Sequence, residues 1–357
     1  MAHVATVTID KTQVPSDQTD FVVYVDLSDL PANEFWGTVA NGGGDIRCYK
    51  SDGTTQLARE VVSCDTATDT GELHVKFSGT LSSSVDTEIQ IWTDEGTEPA
   101  VTATYGRNAV WSDYEVVAHL DSDGTDSTGN NPSPSSSGTI SSYSGKIGGG
   151  RLVDGYYQYG SGTYSTSLTM QGWMNRPNNL VTTNEIRVAC LGDISATDQQ
   201  LNLGTNVVGS DSRTDFQFFN GTVADTKTQG TAVFQNTWFM LHGVQASTSD
   251  RRQYTNGSQD GINTANLSLS GIDTFRIGQS ADLTPYGETG RLDEVRLRYS
   301  VLSADWITTE YNNQSAPSTF YTAAAVSTGA DVSPFGLQAL HRSYQPVAAS
   351  RLNGVMQ

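Results

Sequence analysis

"GRLDEVRLRYSVLSADWITTEYNNQS", residues 290–315, decides how the chain folds. Leu292, Val295 and Leu297 are apolar, and charges stand among them at Asp293, Glu294, Arg296 and Arg298. This mostly alternating pattern predicts a half-buried strand. Ser303 then stands where a cap is needed for a short helix over 303–312, with Ile307 and Tyr311 four residues apart on one face. A helix directly behind an Asp-Glu pair raises three readings of that pair: catalytic acids, metal ligands, or the polar side of a strand.

Outward from this segment, short Val/Ile/Phe/Tyr runs alternate with Gly, Asn, Asp and Ser turns, and helix formers never cluster for long. The fold class is therefore all-β. A length of 357 residues allows two domains with separate cores. Residues 4–9, 21–27, 45–49, 57–63, 72–77 and 87–92 read as strands, with Asp52-Gly53 a hairpin turn. They make a first small β-sandwich over 1–107. A second β-sandwich occupies 109–322, and within it "DSDGTDSTGNNPSPSSSGT" (121–139) reads as a loop with nothing apolar to bury. Residues 323–357 lack strand periodicity and carry 1 acidic and 2 basic side chains, against 17 and 6 in residues 1–108. Such a segment orders itself by docking as an extended tail, and Phe335, Leu337, Leu340, Tyr344, Leu352 and Val355 are its partner-docking residues.

A net charge of −19 opposes a nucleic-acid partner, which needs a cationic surface. No stretch reaches the length of a membrane span. Cys48, Cys64 and Cys190 follow no metal spacing. The Asp52-Gly53 turn puts Cys48 opposite Leu57, which leaves Cys64 without a partner, so free buried thiols and a reducing compartment are expected. The opening "MAHVATVTIDKTQVP" has neither the cationic start nor the apolar run of an export signal.

The second sandwich resembles the laminin-G-like, concanavalin-A-like jelly rolls over 109–315. "LTMQGWMNRP" (168–177), "NTWFMLHGVQASTSDRRQYTNGSQDG" (236–261), "FRIGQSAD" (275–282), "GRLDEVRL" (290–297) and "VLSADWITTEYNNQS" (301–315) carry the resemblance in order. It implies that the closing strand lies beside the domain's first strand. It also implies that the helix covers an open end of the sandwich, anchored by Trp306 and Tyr311. The first sandwich resembles a bacterial and viral domain of unknown function, on "FVVYVDLSDLP" (21–31), "GGDIRCYKSDGTTQLAREVVSCD" (43–65) and "GELHVKFSGTLSSSVDTEIQIW" (71–92).

The hydrolases of the jelly-roll fold set their carboxylates two apart on one strand face. Adjacent Asp293 and Glu294 face opposite ways on a regular strand, so no catalytic residues are expected, and a glycoside hydrolase is the remote alternative. Asp121, Asp123 and Asp126 read as turn chemistry in a solvated loop. The resemblance leaves calcium open without naming ligands; no other cofactor and no metal ligand set is expected. His119 and His242 fall in predicted strands, where a satisfied core histidine is the default. In "YYQYGSGTY" (156–164), alternation puts Tyr157 and Tyr159 on one face. Either these rings stack on carbohydrate or a partner, or they belong to the sandwich core.

Together these readings point to a non-enzymatic structural protein on the surface of a tailed-phage virion, folded in the host cytoplasm. Its lectin-like domain would adhere to surface glycans, and its tail would dock on other virion proteins or further copies of itself. A secreted, extracellular bacterial adhesin or polysaccharide-binding module is the alternative.

Overall fold

The period-2 runs of the sequence become strands throughout. The structure is a computed structural model, and it describes all residues except 1, 95, 132, 178–184, 198, 209–210, 221–225, 234, 283–286 and 327–357. Strands take up 51% of the chain and helices 9%, so the all-β expectation holds.

The N-terminal lobe contains β1 (Ala2–Ile9), β2 (Gln18–Asp26), β3 (Arg47–Lys50), β4 (Gln56–Asp65), β5 (Thr70–Leu81) and β6 (Thr87–Thr93). Each strand predicted there is present. Cys48 pairs with Leu57 across the β3–β4 hairpin, Gly53 takes φ +66° in its turn, and all three cysteines are buried and free. The connection contains α1 (Arg107–Val110). The second lobe runs through β7 (Val116–Ala118), β8 (Ser135–Ser144), β9 (Gly149–Gly160), β10 (Leu168–Asn175), β11 (Arg187–Gly192), β12 (Gln199–Val208) and β13 (Asp211–Asn220). It continues through β14 (Thr226–Lys227), β15 (Trp238–Ser247), β16 (Asp250–Thr255), β17 (Ser258–Asn263), β18 (Thr274–Gly278) and β19 (Gly290–Arg298). Helices α2 (Ala304–Ser315) and α3 (Pro317–Phe320) and strand β20 (Tyr321–Ala325) follow.

The second lobe's sheet has the order β14-β13-β12-β11-β18-β9-β19-β10-β15-β16-β17, with β7 on β19 and β8 on β9. As the jelly-roll resemblance implies, closing strand β19 lies antiparallel to first strand β7. The sheet curls so that β12 and β13 come against β15 and β16. Gly243 permits this approach, because a Cβ there would stand 2.5 Å from the Phe216 ring. Leu168, Met170, Leu201, Leu203, Phe216, Phe275, Leu292 and Leu297 are among the core side chains enclosed between the layers.

Two expectations need correction here. Residues 135–139, read as loop, begin strand β8, which pairs with β9 over its whole length. Its side chains are almost all exposed, so backbone bonding rather than apolar burial holds it. The segment after Phe320 does not leave the fold at 323. It forms β20, antiparallel to β1, and closes the order β2-β5-β4-β3-β6-β1-β20 of the N-terminal sheet. Tyr321 explains why: its ring is buried, and its hydroxyl accepts from Asp26 N at 2.9 Å and donates to Asp29 Oδ2 at 3.0 Å. The remaining tail residues, including Phe335, Leu337, Leu340, Tyr344, Leu352 and Val355, lie outside the described residues.

Helix α2 also differs from expectation. It does not merely cover an end of the second sandwich; it is wedged between the lobes. Trp306 packs on Phe21 with ring centroids 5.1 Å apart. Ile307 is fully buried in the N-terminal lobe's core, with Val244 and Tyr254 of the second lobe in the same cluster. Tyr311, the other expected anchor, is only half-buried. Asn313 accepts from Tyr24 N at 2.7 Å and donates to Tyr24 O at 2.9 Å. It therefore satisfies the outer edge of β2, as a further strand would. Through these contacts Met1–Ala325 forms one compact unit.

A chain ending at Ala325 should therefore be more stable than one ending at Phe320. The difference, in urea unfolding, should be about 3 kcal/mol or more, on the scale of losing a buried aromatic side chain. Equal midpoints would show that β20 is incidental.

Candidate functional site

The lobes meet through polar side chains. On the N-terminal side, Glu72 and His74 are two apart on β5 and share a face, opposite the core residues Leu73 and Val75. Glu60 of β4 pairs directly with His74. On the other side, His242, Gln171 and Arg296 form one cross-strand row over β15, β10 and β19.

A bulge shapes the strand that opened the sequence reading. Between Asp293 and Arg296, β19 spends one residue more than β10 does between Trp173 and Gln171, and Glu294 takes φ +50°. The apolar spacing 292, 295, 297 already carried that extra residue. The bulge breaks the alternation on which opposite facing of Asp293 and Glu294 rested, and each carboxyl is committed separately. Asp293 Oδ2 accepts from Lys146 N at 2.7 Å and Ile147 N at 2.9 Å. Burial, and then Glu294 beside it, push its pKa well above the ordinary value. Glu294 bonds His119 through Oε1 at 2.6 Å and accepts from Arg296 through Oε2.

Arg296 joins strand, helix and connection. One nitrogen donates to Glu294, another to Glu310 Oε1 of α2 at 2.7 Å, and its guanidinium lies 4.6 Å from the Trp111 ring centroid. Glu310 also accepts from Gln171 Nε2 at 2.7 Å and pairs with His242 Nε2 at 3.1 Å. One turn on, Gln314 accepts from Trp173 Nε1 at 2.7 Å.

His119 sits between carboxylates. Its Nδ1 is 2.6 Å from Glu294 and 3.4 Å from Glu72, and its Nε2 is 3.1 Å from Glu60. Burial alone would lower its pKa, but Glu294 and Glu60 hold it well above the usual value. Glu60 is the converse. Burial would raise it, yet His119 and hydrogen bonds from Trp111 and Ser127 bring it to about 2. His74, stacked 4.8 Å from the His119 ring, is pushed by burial to about 3. None of Glu60, Glu72, His74 or Arg296 stood out in the sequence as a site residue. The readable signal was polar residues at i and i+2 (Glu72/His74, Glu294/Arg296) inside otherwise buried strands.

A cleft of about 590 Å³ opens onto this cluster. Glu60 and His119 form part of its lining, with Asn41, Glu98, Arg107, Asp121, Asp123, Thr125 and Ser127 around them and Val61, Val62, Val101 and Leu120 between. The aspartates expected in a solvated loop are used one by one. Asp126 is fully buried and accepts from Val117 N, Thr128 N and Asn131 N. Asp121 accepts from Gly149 N, and Asp123 is exposed and caps Thr125 N.

Tyr157 and Tyr159 are 7% and 3% exposed and belong to the second lobe's core, which corrects the reading of them as a carbohydrate-stacking platform. Their ladder partners Ile277 and Phe275 place them on the inner face. From there they support the cleft. Tyr159 donates to Gly124 O at 2.7 Å, and Gly124 lies so close to the Tyr157 ring that a Cβ would stand 2.3 Å from it.

No family model matches the sequence, and neither does any curated protein. Part of the chain is similar to domain 4 of AbnA, a GH43 extracellular arabinanase from Geobacillus stearothermophilus, solved with arabinotriose. The identity is 17% and the TM-score 0.44, covering 55% of this chain and 96% of that one. The ligand binding domain of botulinum neurotoxin serotype D, solved with N-acetylneuraminic acid, gives 12% and 0.44, with coverages of 58% and 53%. The binding domain of Paraclostridial Mosquitocidal Protein 1 gives 13% and 0.44, with coverages of 56% and 52%. The chain spans about half the length of the two toxin domains.

Tyr159→Ala should destabilise the protein by about 3–5 kcal/mol, whereas Tyr159→Phe should lose about 1 kcal/mol, one hydrogen bond. Near-neutral unfolding data for the alanine variant would return this ring to the surface. A second outcome concerns Asp215, fully buried on β13, whose pKa burial raises to about 7. A folded pKa above the unfolded one means that the native state holds the proton longer. Stability therefore falls as pH rises from about 4 to about 7 and is flat above. Asp215→Asn should raise Tm at pH 8 and leave it unchanged at pH 4; equal effects at both would contradict the assignment.

Proposed function

We propose that this chain is a non-catalytic display protein that binds glycan in the cleft between its lobes and is carried on the surface of a tailed-phage particle. The observation that carries the binding reading is the lining of that cleft. Sugar hydroxyls both donate and accept, and the carboxylates, hydroxyls and amide there answer both roles around a narrow apolar strip. An acidic lining disfavours phosphate and other anions, so the ligand is a neutral saccharide.

A binding role without hydrolysis agrees with the state of the carboxyls. Glu60 has its Oε1 bonded by Ser127 and its Oε2 by Trp111 and His119. With a pKa of about 2 it holds no proton to give a leaving group. Asp293 and Glu294 are enclosed beneath the lobes. Three free buried thiols suit folding in a reducing cytoplasm, which supports the phage reading over the secreted adhesin. Tail residues Phe335, Leu337, Leu340, Tyr344, Leu352 and Val355 remain the proposed docking anchors on neighbouring particle proteins or further copies.

The test is a glycan array on the purified chain, with Asp123→Ala beside it. Asp123 is exposed and accepts only from Thr125 N, so its removal should cost no more than about 1 kcal/mol of unfolding free energy. Binding to the selected neutral glycan should weaken at least tenfold. An array without signal, or equal affinity in the variant, defeats the cleft. Deleting 326–357 should abolish incorporation into particles while glycan binding persists; unchanged occupancy would favour the adhesin.

A further inference from the structure

Glu72, His74, His119 and Glu294 bring one donor atom each to a common point. These four atoms lie within 4.8 Å of one another, and all four residues are buried. Ligands about 2.1 Å from a tetrahedral metal stand roughly 3.4 Å apart. The separations here are 2.6 Å for His119 Nδ1 to Glu294 Oε1, 2.8 Å for His74 Nε2 to Glu72 Oε1, 3.4 Å for His119 Nδ1 to Glu72 Oε1 and 4.0 Å for His74 Nε2 to Glu294 Oε2. They lie on both sides of the required value, with Glu294 meeting the two imidazoles through its two different oxygens.

Three further observations single this cluster out from an ordinary ion-pair network. His119 presents Nδ1 to the cluster while its Nε2 is held by Glu60, so a carboxylate fixes the ring from behind, as it does for metal-ligating histidines. His74 is fully buried and meets Glu72 through Nε2, while its Nδ1 has no hydrogen-bond partner among the described residues. Arg296 donates to Glu294 and Glu310, and the His119 ring lies among Glu60, Glu72 and Glu294, so four buried carboxylates share one guanidinium and the imidazoles between them. Glu60 and His119 also line the cleft, which gives an ion a way in.

We propose that Glu72, His74, His119 and Glu294 bind one divalent transition-metal ion, of the zinc class, at the junction of the two lobes. Two imidazoles and two carboxylates suit zinc, cobalt or iron and not calcium or magnesium, which take oxygen ligands. Glu72 and His74 come from the N-terminal lobe, and His119 and Glu294 from the second. The ion therefore clamps the lobes to each other.

The test uses the full chain without a histidine tag. Metal content is measured after growth in zinc-supplemented medium, and again after chelator treatment and titration with Zn²⁺, Co²⁺, Ca²⁺ or Mg²⁺. One Zn²⁺ or Co²⁺ per chain is expected, with a visible Co²⁺ ligand-field band of a tetrahedral nitrogen–oxygen site and a Tm several degrees higher. Ca²⁺ and Mg²⁺ should do neither. Glu60→Gln leaves the four ligands in place and should weaken binding 10–100-fold; Glu294→Gln should abolish the cobalt band. No stoichiometric metal in either preparation, with Tm unmoved by zinc, overturns the proposal and leaves a cluster bridged by protons alone. Undiminished uptake in Glu294→Gln also overturns it. Should Glu294→Gln not fold, the wild-type cobalt spectrum decides: no tetrahedral band, no site.

Discussion

The buried guanidinium of Arg296 is the constraint on which the arrangement of this protein rests. Its fork spans Glu294 on the bulged strand and Glu310 on the interlobe helix, and its plane lies over Trp111 at the start of the second lobe. Taking such a charge out of water costs several kcal/mol, which only well-placed partners offset. A network of this kind therefore contributes less to stability than to uniqueness. Any other docking of the helix on the second lobe takes Glu310 away from Arg296, Gln171 and His242, and a buried charge parted from its partner costs about 3–5 kcal/mol.

The helix that looked misplaced in an all-β chain follows from that constraint. Glu310 and Gln314, one turn apart, serve the second lobe, while Asn313 and Trp306 serve the first. One amphipathic turn pattern cannot reveal two polar-and-apolar faces meant for two different sheets. Reading Ile307 and Tyr311 as a single buried stripe found the helix and missed its purpose.

Much of the fold was legible because strands with one buried face alternate. Every strand of the N-terminal lobe up to Thr93 followed from that rule, and the Asp52-Gly53 turn added the pairing of Cys48 with Leu57. The rule failed where burial is not what orders the backbone. Strand β8 has no apolar face and exists through its ladder with β9, so a Ser-rich stretch read as loop. It failed again at β20, whose Thr and Ala residues carry little pattern and whose place is set by the single side chain Tyr321. Tyr157 and Tyr159 were correctly put on one face, but alternation cannot tell which face is the inner one. The lobe-junction cluster was the least legible part. Its members come from residues 60, 72, 74, 119, 294, 296 and 310, and no local spacing connects them.

Strands β1 and β20 have a mechanical consequence. They are antiparallel neighbours, with Ala5 beside Ala325 and Ile9 beside Tyr321. A pull between the two ends of the 2–325 unit therefore loads the ladder from one end. Its bonds open in succession like a zip, each bearing the force alone, rather than sharing it in shear. Anchored at one end only, the unit presents both lobes as a rigid head. Strung between two anchors, it would part first at β20, releasing Tyr321 from Asp26 and Asp29 while the second lobe stayed folded behind it.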